Sequence, residues 1–264
     1  MLFRPSVLRP GGLGPQGILL PMGIFLAGAG PDYHSFPDVF ERFVRDIPGD
    51  RSQIRPARVA VVVHHRGASP DSVLQDYAGP LQSLASCEVV PVLLRAGSPA
   101  DPAAFSGADA IVVGGGLTPA YLEGLRGCAG AIAARVADGA PYLGFSAGAM
   151  IAPGRGIIGG YRIGGVEVCG KECSEDLDEV DVREGLGIVP FSVDVHAAQA
   201  GTLSRAVGAV AAGLVDRAVA VDENTAVVLP NIGGVEFDVI GRGNCWDVRS
   251  TGTGCSVSLR SEGN

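Results

Sequence analysis

Pro141-Tyr142-Leu143-Gly144-Phe145-Ser146-Ala147-Gly148-Ala149-Met150 reads as a short apolar strand running into a turn of small residues. Its centre, Gly144-Phe145-Ser146-Ala147-Gly148, is a G-x-S-x-G pentapeptide. That pattern suits a strand–turn–helix elbow, which strains the serine backbone and exposes its hydroxyl. Glycines two before and two after the serine are needed because a Cβ there would strike the neighbouring strand or the following helix. The helix expected after Ser146 would aim free N–H groups at the place where an oxyanion forms. A chain with 40 glycines can match such a pattern by chance, so the flanking sequence has to supply neighbouring strands and partner residues.

Upstream of the elbow, apolar strands alternate with helical patterns. Ala120 to Val136 is a long Ala- and Leu-rich helix closed by Asp138-Gly139, and Ala110 to Val113 is a strand ending in Gly114-Gly115-Gly116. Val59 to Val63 is a continuous β-branched run, the mark of a strand buried on both faces. Val89 to Leu94 is another strand, and Phe36 to Ile47 and Val73 to Leu84 have helical spacing. Ile18 to Leu26 is the first strand, turning out through Gly28-Ala29-Gly30. Arg4, Arg9 and the Ala27-Gly28-Ala29 triplet give this run some likeness to a secretion signal. Pro21 and Gly23 interrupt it, so a strand and a cytoplasmic location are the reading adopted. Residues 1–17 are expected to be a loose tail, and 18–264 one domain. The alternation predicts an α/β fold with a doubly wound, mostly parallel sheet and ligands at the carboxyl ends of its strands.

Downstream the character changes. Glycines and short β-like pieces fill Gly154 to Gly170, and Glu172 to Glu184 reads as a charged, solvated loop. Gly185 to Val195 is expected to form two short strands broken at Pro190, and Thr202 to Leu214 a helix capped by Thr202. Ala218 to Val221, Ala226 to Leu229, Val235 to Ile240 and Val257 to Leu259 are short strands, the last of them antiparallel additions to a sheet edge.

Composition narrows the function. The chain is 47% hydrophobic and 18% charged, enough for a sizeable core. A net charge of −8 argues against a nucleic-acid or anionic-membrane partner, and no apolar run is long enough to span a bilayer. The cysteines form no C-x-x-C pair, and no histidine lies near Cys169 or Cys173, so neither a metal nor an organic cofactor is expected.

A serine nucleophile needs a base, and the base an orienting acid. The histidines are His34, His64, His65 and His196, and His196 alone follows Ser146. It ends the apolar strand Ser192 to Val195. An acid placed between serine and histidine would fall on the charged loop, where Asp181 and Glu184 are poorly held. Asp222-Glu223 lies between two hydrophobic runs, so either carboxylate there fits an order of serine, histidine, acid.

Four pieces together resemble the serine peptidases that include cyanophycinase and aspartyl dipeptidase (peptidase E). They are Val112-Val113-Gly114-Gly115-Gly116, Gly144-Phe145-Ser146-Ala147-Gly148-Ala149, Gly185-Leu186-Gly187-Ile188 leading to Asp194-Val195-His196, and Val221-Asp222-Glu223-Asn224-Thr225-Ala226. The resemblance implies a class I glutamine-amidotransferase-like three-layer sandwich. It also implies Ser146 as nucleophile, His196 as base, Glu223 as orienter, and an oxyanion hole from Ala147 and either Gly115 or Gly116. Asp194 and Arg205 are candidates for substrate contact. The implied substrate is a peptide or isopeptide bond next to an aspartyl residue, and a homodimer is an assembly common in this group. Departures bear on the substrate. Val195 and Ala197 stand where cyanophycinases carry glutamine and phenylalanine, Ala200 and Thr202 where they carry arginines, and Leu117 where relatives tend to be polar. An esterase-type hydrolase would need a histidine after its acid, and none follows Glu223. A catalytically silent binding protein on the same fold is the remaining alternative.

Overall fold

The computed structural model describes residues 23–48, 55–64 and 70–263. The expected tail, His65 and the first residues of the expected opening strand lie outside these. In chain order the elements are β1 (Ile24–Ala27), α1 (Pro37–Asp46), β2 (Ala57–His64), α2 (Pro70–Leu84), β3 (Cys87–Leu94), β4 (Ala110–Val113), α3 (Thr118–Leu125), α4 (Ala129–Ala137), β5 (Tyr142–Phe145) and α5 (Ala147–Met150). There follow β6 (Arg155–Gly159), β7 (Arg162–Ile163), β8 (Val166–Glu167), β9 (Asp181–Glu184), β10 (Ser192–Val195), α6 (Leu203–Ala211), β11 (Arg217–Val221), β12 (Thr225–Leu229), β13 (Asp238–Gly241), β14 (Asn244–Ser250) and β15 (Cys255–Ser261).

The central sheet has the order β13-β12-β1-β5-β4-β2-β3. β1, β5, β4, β2 and β3 run parallel, while β12 and β13 extend the β1 edge antiparallel. Alternation along each strand sorts the core into two faces. Phe25, Val61, Val112, Leu143 and Phe145 face α1 and α2. Leu26, Val62, Val113 and Tyr142 face α3, α4 and α5. The mostly parallel α/β fold is the one expected.

A second sheet, β10-β11-β14-β15, accounts for the rest of the C-terminal strands. Val193, Val195, Val219 and Val221 turn inward onto the core shared with the central sheet. Ala218, Ala220 and Val248 face the opposite way and carry α6. Because β10 and β11 run parallel, both deliver their carboxyl ends to one place.

Four expectations require correction. The single helix over 120–136 is two helices joined by a 3₁₀ turn at Arg126–Cys128. The Gly124 carbonyl accepts the Ala100 N–H, which withdraws it from a continuing helix. Only Ser192–Val195 of the two strands expected in 185–195 forms, since Gly187 takes a φ of 73° and Pro190 has no N–H to donate. The charged 172–184 stretch is folded: β9 pairs with β6, and Glu175 reaches the start of α3. Thr202 sits at the start of α6 as expected, but its hydroxyl donates to the Val195 carbonyl and caps nothing.

Candidate active site

Ser146 leaves the end of β5, between β1 and β4. Its backbone, at φ 46° and ψ −106°, lies where side-chain-bearing residues rarely sit. Neighbouring bonds hold it there. Its N–H donates to the Ala27 carbonyl at 3.0 Å, and its carbonyl accepts from Ala149 and Met150. The flanking glycines are sterically required: a Cβ on Gly144 would lie 2.6 Å from the Gly148 backbone, and one on Gly148 2.3 Å from the Val113 carbonyl oxygen. Phe145 anchors the turn between the rings of Phe40 and Tyr77.

His196 follows the last residue of β10. It adopts a left-handed φ of 57°, and its N–H donates to the Gly28 carbonyl at 3.0 Å. That bond docks the second sheet onto the end of β1. The result is a hydrogen-bonded relay, with Ser146 Oγ 3.1 Å from His196 Nε2 and His196 Nδ1 2.7 Å from Glu223 Oε1. Glu223 arrives in the turn from β11 to β12, and its N–H donates to the Gln199 side chain. Asp222, the other carboxylate of the pair, is buried and does different work. It accepts from the backbone N–H groups of Ala198 and Asn244, from the Asn244 amide and from the Trp246 indole. It therefore ties the loop after His196 to β14. His34 is exposed on the turn after β1, and His64 packs edge-on to Tyr121 at the end of β2.

The glycine turn after β4 lies against the elbow, and a Cβ on Gly115 would meet Ser146 Cβ at 3.2 Å. Of the two glycines left open for the oxyanion, Gly115 is corrected: its N–H donates to the Tyr77 hydroxyl at 2.8 Å. The Tyr121 hydroxyl donates to the Gly115 carbonyl at 3.0 Å and accepts the His64 N–H at 3.0 Å. The Gly116 and Ala147 N–H groups have no acceptor among the described residues. α5 has a single turn, and the Gly148 N–H is already given to the Gly114 carbonyl. The elbow thus offers one amide, that of Ala147, where several were expected.

Asp194 and Arg205, the candidates for substrate contact, are also corrected. Both side chains are buried and form a bidentate pair at 2.6 and 2.8 Å. Arg205 further donates to the Gly160 and Cys173 carbonyls. Burial opposes the guanidinium charge, but Asp194 outweighs it and holds Arg205 above its ordinary range. The pair stands behind His196 as a brace and reaches no open surface. An open cleft of about 520 Å³ adjoins the glycine turn, lined by Gly116 and Leu117 and by Lys171, Glu172, Glu175 and Asp176. Burial raises Glu175 above the ordinary carboxylate range, against the opposing pull of the Thr118 N–H and Arg205. Among the described residues no cluster of His, Cys, Asp and Glu could hold a metal, and no helix is long and apolar enough to cross a membrane.

Two residues bearing on this geometry, Tyr77 and Tyr121, escaped the sequence reading. Both fall at positions that read as helix core, and nothing in their spacing separates a packing ring from one with an occupied hydroxyl.

Comparison with known proteins bears on the fold and on the family. A crystal structure of a peptidase from an acI-B1 Actinobacterium superposes with a TM-score of 0.61 at 16% identity, covering 92% of this chain and 95% of that one. A putative peptidase E protein from Listeria monocytogenes EGD-e superposes with a TM-score of 0.52 at 18% identity, covering 84% of this chain and 98% of that one. At such identities the likeness shows the fold. No curated protein matches the sequence. The model of peptidase family S51 matches residues 96–233, just over half of the chain, and takes in the glycine turn, the elbow, His196 and Glu223. The chain therefore belongs to peptidase family S51 and is a serine-type peptidase.

Proposed function

We propose that the protein hydrolyses a peptide or isopeptide bond next to an aspartyl residue through an acyl-enzyme formed on Ser146. The observation that carries this reading is the unbroken relay from Ser146 Oγ through His196 to Glu223. With Nδ1–H directed at Glu223, the Nε2 lone pair faces the serine hydroxyl and takes its proton as Oγ attacks the carbonyl carbon. Glu223 steadies the imidazolium that results. The Gly116 and Ala147 N–H groups receive the charge that develops on the carbonyl oxygen, a role worth roughly 10²–10³ in rate per donor. Collapse expels the amine, which takes its proton from Nε2. Water, deprotonated by the same nitrogen, then releases the acid and restores Ser146.

The aspartyl preference rests on the resemblance to cyanophycinase and aspartyl dipeptidase. Arg205 cannot supply the carboxylate contact, because Asp194 already occupies its fork. We assign the substrate carboxylate to Lys171, the cation of a cleft beside Gly116 that Glu172, Glu175 and Asp176 also line. No step calls for a metal or cofactor. A panel of α-aspartyl dipeptides, β-aspartyl dipeptides, cyanophycin and matched non-aspartyl dipeptides tests the reading. Turnover of an aspartyl dipeptide, lost in Ser146→Ala and weakened in KM by Lys171→Met, is expected. Turnover that survives Ser146→Ala contradicts the nucleophile, and turnover of non-aspartyl peptides alone contradicts the preference.

A further inference from the structure

The glycine turn poses a problem of control. A peptide plane between two glycines can rotate at little steric cost, because neither neighbour carries a Cβ. Gly115 and Gly116 flank such a plane, and Gly116 has a φ of 148°. If that peptide flipped, a carbonyl oxygen would replace the Gly116 N–H that the proposed chemistry needs. Gly115 and Gly116 have no side chains of their own to prevent it.

Two tyrosines from opposite layers supply the restraint. Tyr77 comes from α2 and Tyr121 from α3, and both are buried. Their hydroxyls press so closely on the turn that a Cβ on Gly114 would lie 2.8 Å from one and 2.9 Å from the other. Tyr77 takes the Gly115 N–H, which removes that amide from any contest for the oxyanion. Tyr121 donates to the Gly115 carbonyl. In a trans peptide the C=O and the following N–H point in opposite directions. A Gly115 carbonyl held toward Tyr121 therefore holds the Gly116 N–H away from Tyr121. The Tyr121 hydroxyl is itself fixed, because the His64 N–H at the end of the adjacent strand occupies its lone pair and leaves its proton for Gly115.

We propose that Tyr121 is a positioning residue of the oxyanion hole: its hydroxyl locks the Gly115–Gly116 peptide in the orientation that presents the Gly116 N–H, with Tyr77 fixing the peptide before it. The proposal rests on the hydrolase reading above. Burial pushes the Tyr121 hydroxyl up to about 12, so it stays protonated and able to donate across the range in which a hydrolase works.

The test is phosphonylation by a fluorophosphonate probe, followed as kinact and KI in wild type, Ser146→Ala and Tyr121→Phe, with thermal melts alongside. Tyr121→Phe keeps the ring in the core and removes the donor. The expected result is a folded variant whose kinact is roughly 10- to 100-fold lower with KI within about twofold of wild type. A folded Tyr121→Phe with wild-type kinact overturns the proposal while labelling confined to Ser146 leaves the hydrolase reading standing. A wild type that does not label, or equal labelling of Ser146→Ala, overturns both. The crystal structure of the phosphonylated wild type decides the matter independently of how the variant folds. The phosphonyl oxygen is expected within hydrogen-bond distance of the Gly116 nitrogen, with Tyr121 still on the Gly115 carbonyl. An oxygen bound by the Gly115 nitrogen, or a Gly115 carbonyl turned off Tyr121, contradicts the proposal.

Discussion

At the scale of single residues, the two neighbouring carboxylates Asp222 and Glu223 divide the work. Glu223 meets His196, while Asp222 faces four N–H donors and holds the loop that carries His196. Their substitutions should therefore fail differently. Glu223→Gln keeps the shape but removes the charge that steadies the imidazolium, so kcat is expected to fall by about 10²–10⁴ with an unchanged melting temperature. Asp222→Asn turns an amide toward donors that need an acceptor. It should cost about 1–3 kcal/mol in denaturant unfolding as well as activity. Equal effects of the two on stability would contradict the division. Glu175 makes a third case. Its folded-state pKa is raised, so the stability it contributes is present below the ordinary carboxylate range and is lost as pH rises through the raised value. Glu175→Gln still offers an oxygen to the Thr118 N–H. It should be at least as stable as wild type at neutral pH, with the difference closing near pH 4. A variant that weakens progressively as pH rises would contradict this.

At the scale of elements, legibility followed the source of each signal. β2, β4 and β5 are buried on both faces, and continuous apolar runs such as Val59-Ala60-Val61-Val62-Val63 made them readable. The break between α3 and α4 was not readable. It depends on Ala100, more than twenty residues upstream, claiming the Gly124 carbonyl. β14 was missed because Asp247 sits at one of its inward positions. That carboxylate is buried but satisfied by Arg217 and Arg249, from which no local pattern could be recognised. The elbow itself was legible because its glycines answer to backbone contacts that any sequence on this turn must meet. Gly148→Ala would drive a methyl into the Val113 carbonyl. It should abolish activity and lower the melting temperature by several degrees, and a fully active, equally stable Gly148→Ala would refute the steric argument.

At the scale of the whole molecule, the site exists because two sheets meet. Ser146 and the glycine turn lie at the carboxyl ends of the central sheet, while His196 and the Asp222-Glu223 turn leave the parallel pair β10 and β11 of the second sheet. The partners could be named from their order in the chain, but the second sheet that brings them together could not. β11 and β14 are neighbours in it, although β12 and β13, which lie between them in the chain, belong to the central sheet. Arg205 was misread for the same reason. Its role depends on Asp194, Gly160 and Cys173 converging from three segments. As a buried pair with both charges satisfied, Asp194 and Arg205 should tolerate loss of one partner badly. Asp194→Asn is expected to cost about 3–5 kcal/mol in urea unfolding, and a cost below about 1 kcal/mol would show the brace to be dispensable.

The central claim is that Ser146 is the residue that attacks. Peptide mass mapping after fluorophosphonate treatment tests it most directly. The account predicts one phosphonyl adduct per chain, on the peptide carrying Gly144-Phe145-Ser146, absent from Ser146→Ala and strongly reduced in His196→Ala. An adduct on another residue, or one unaffected by loss of Ser146, would contradict it.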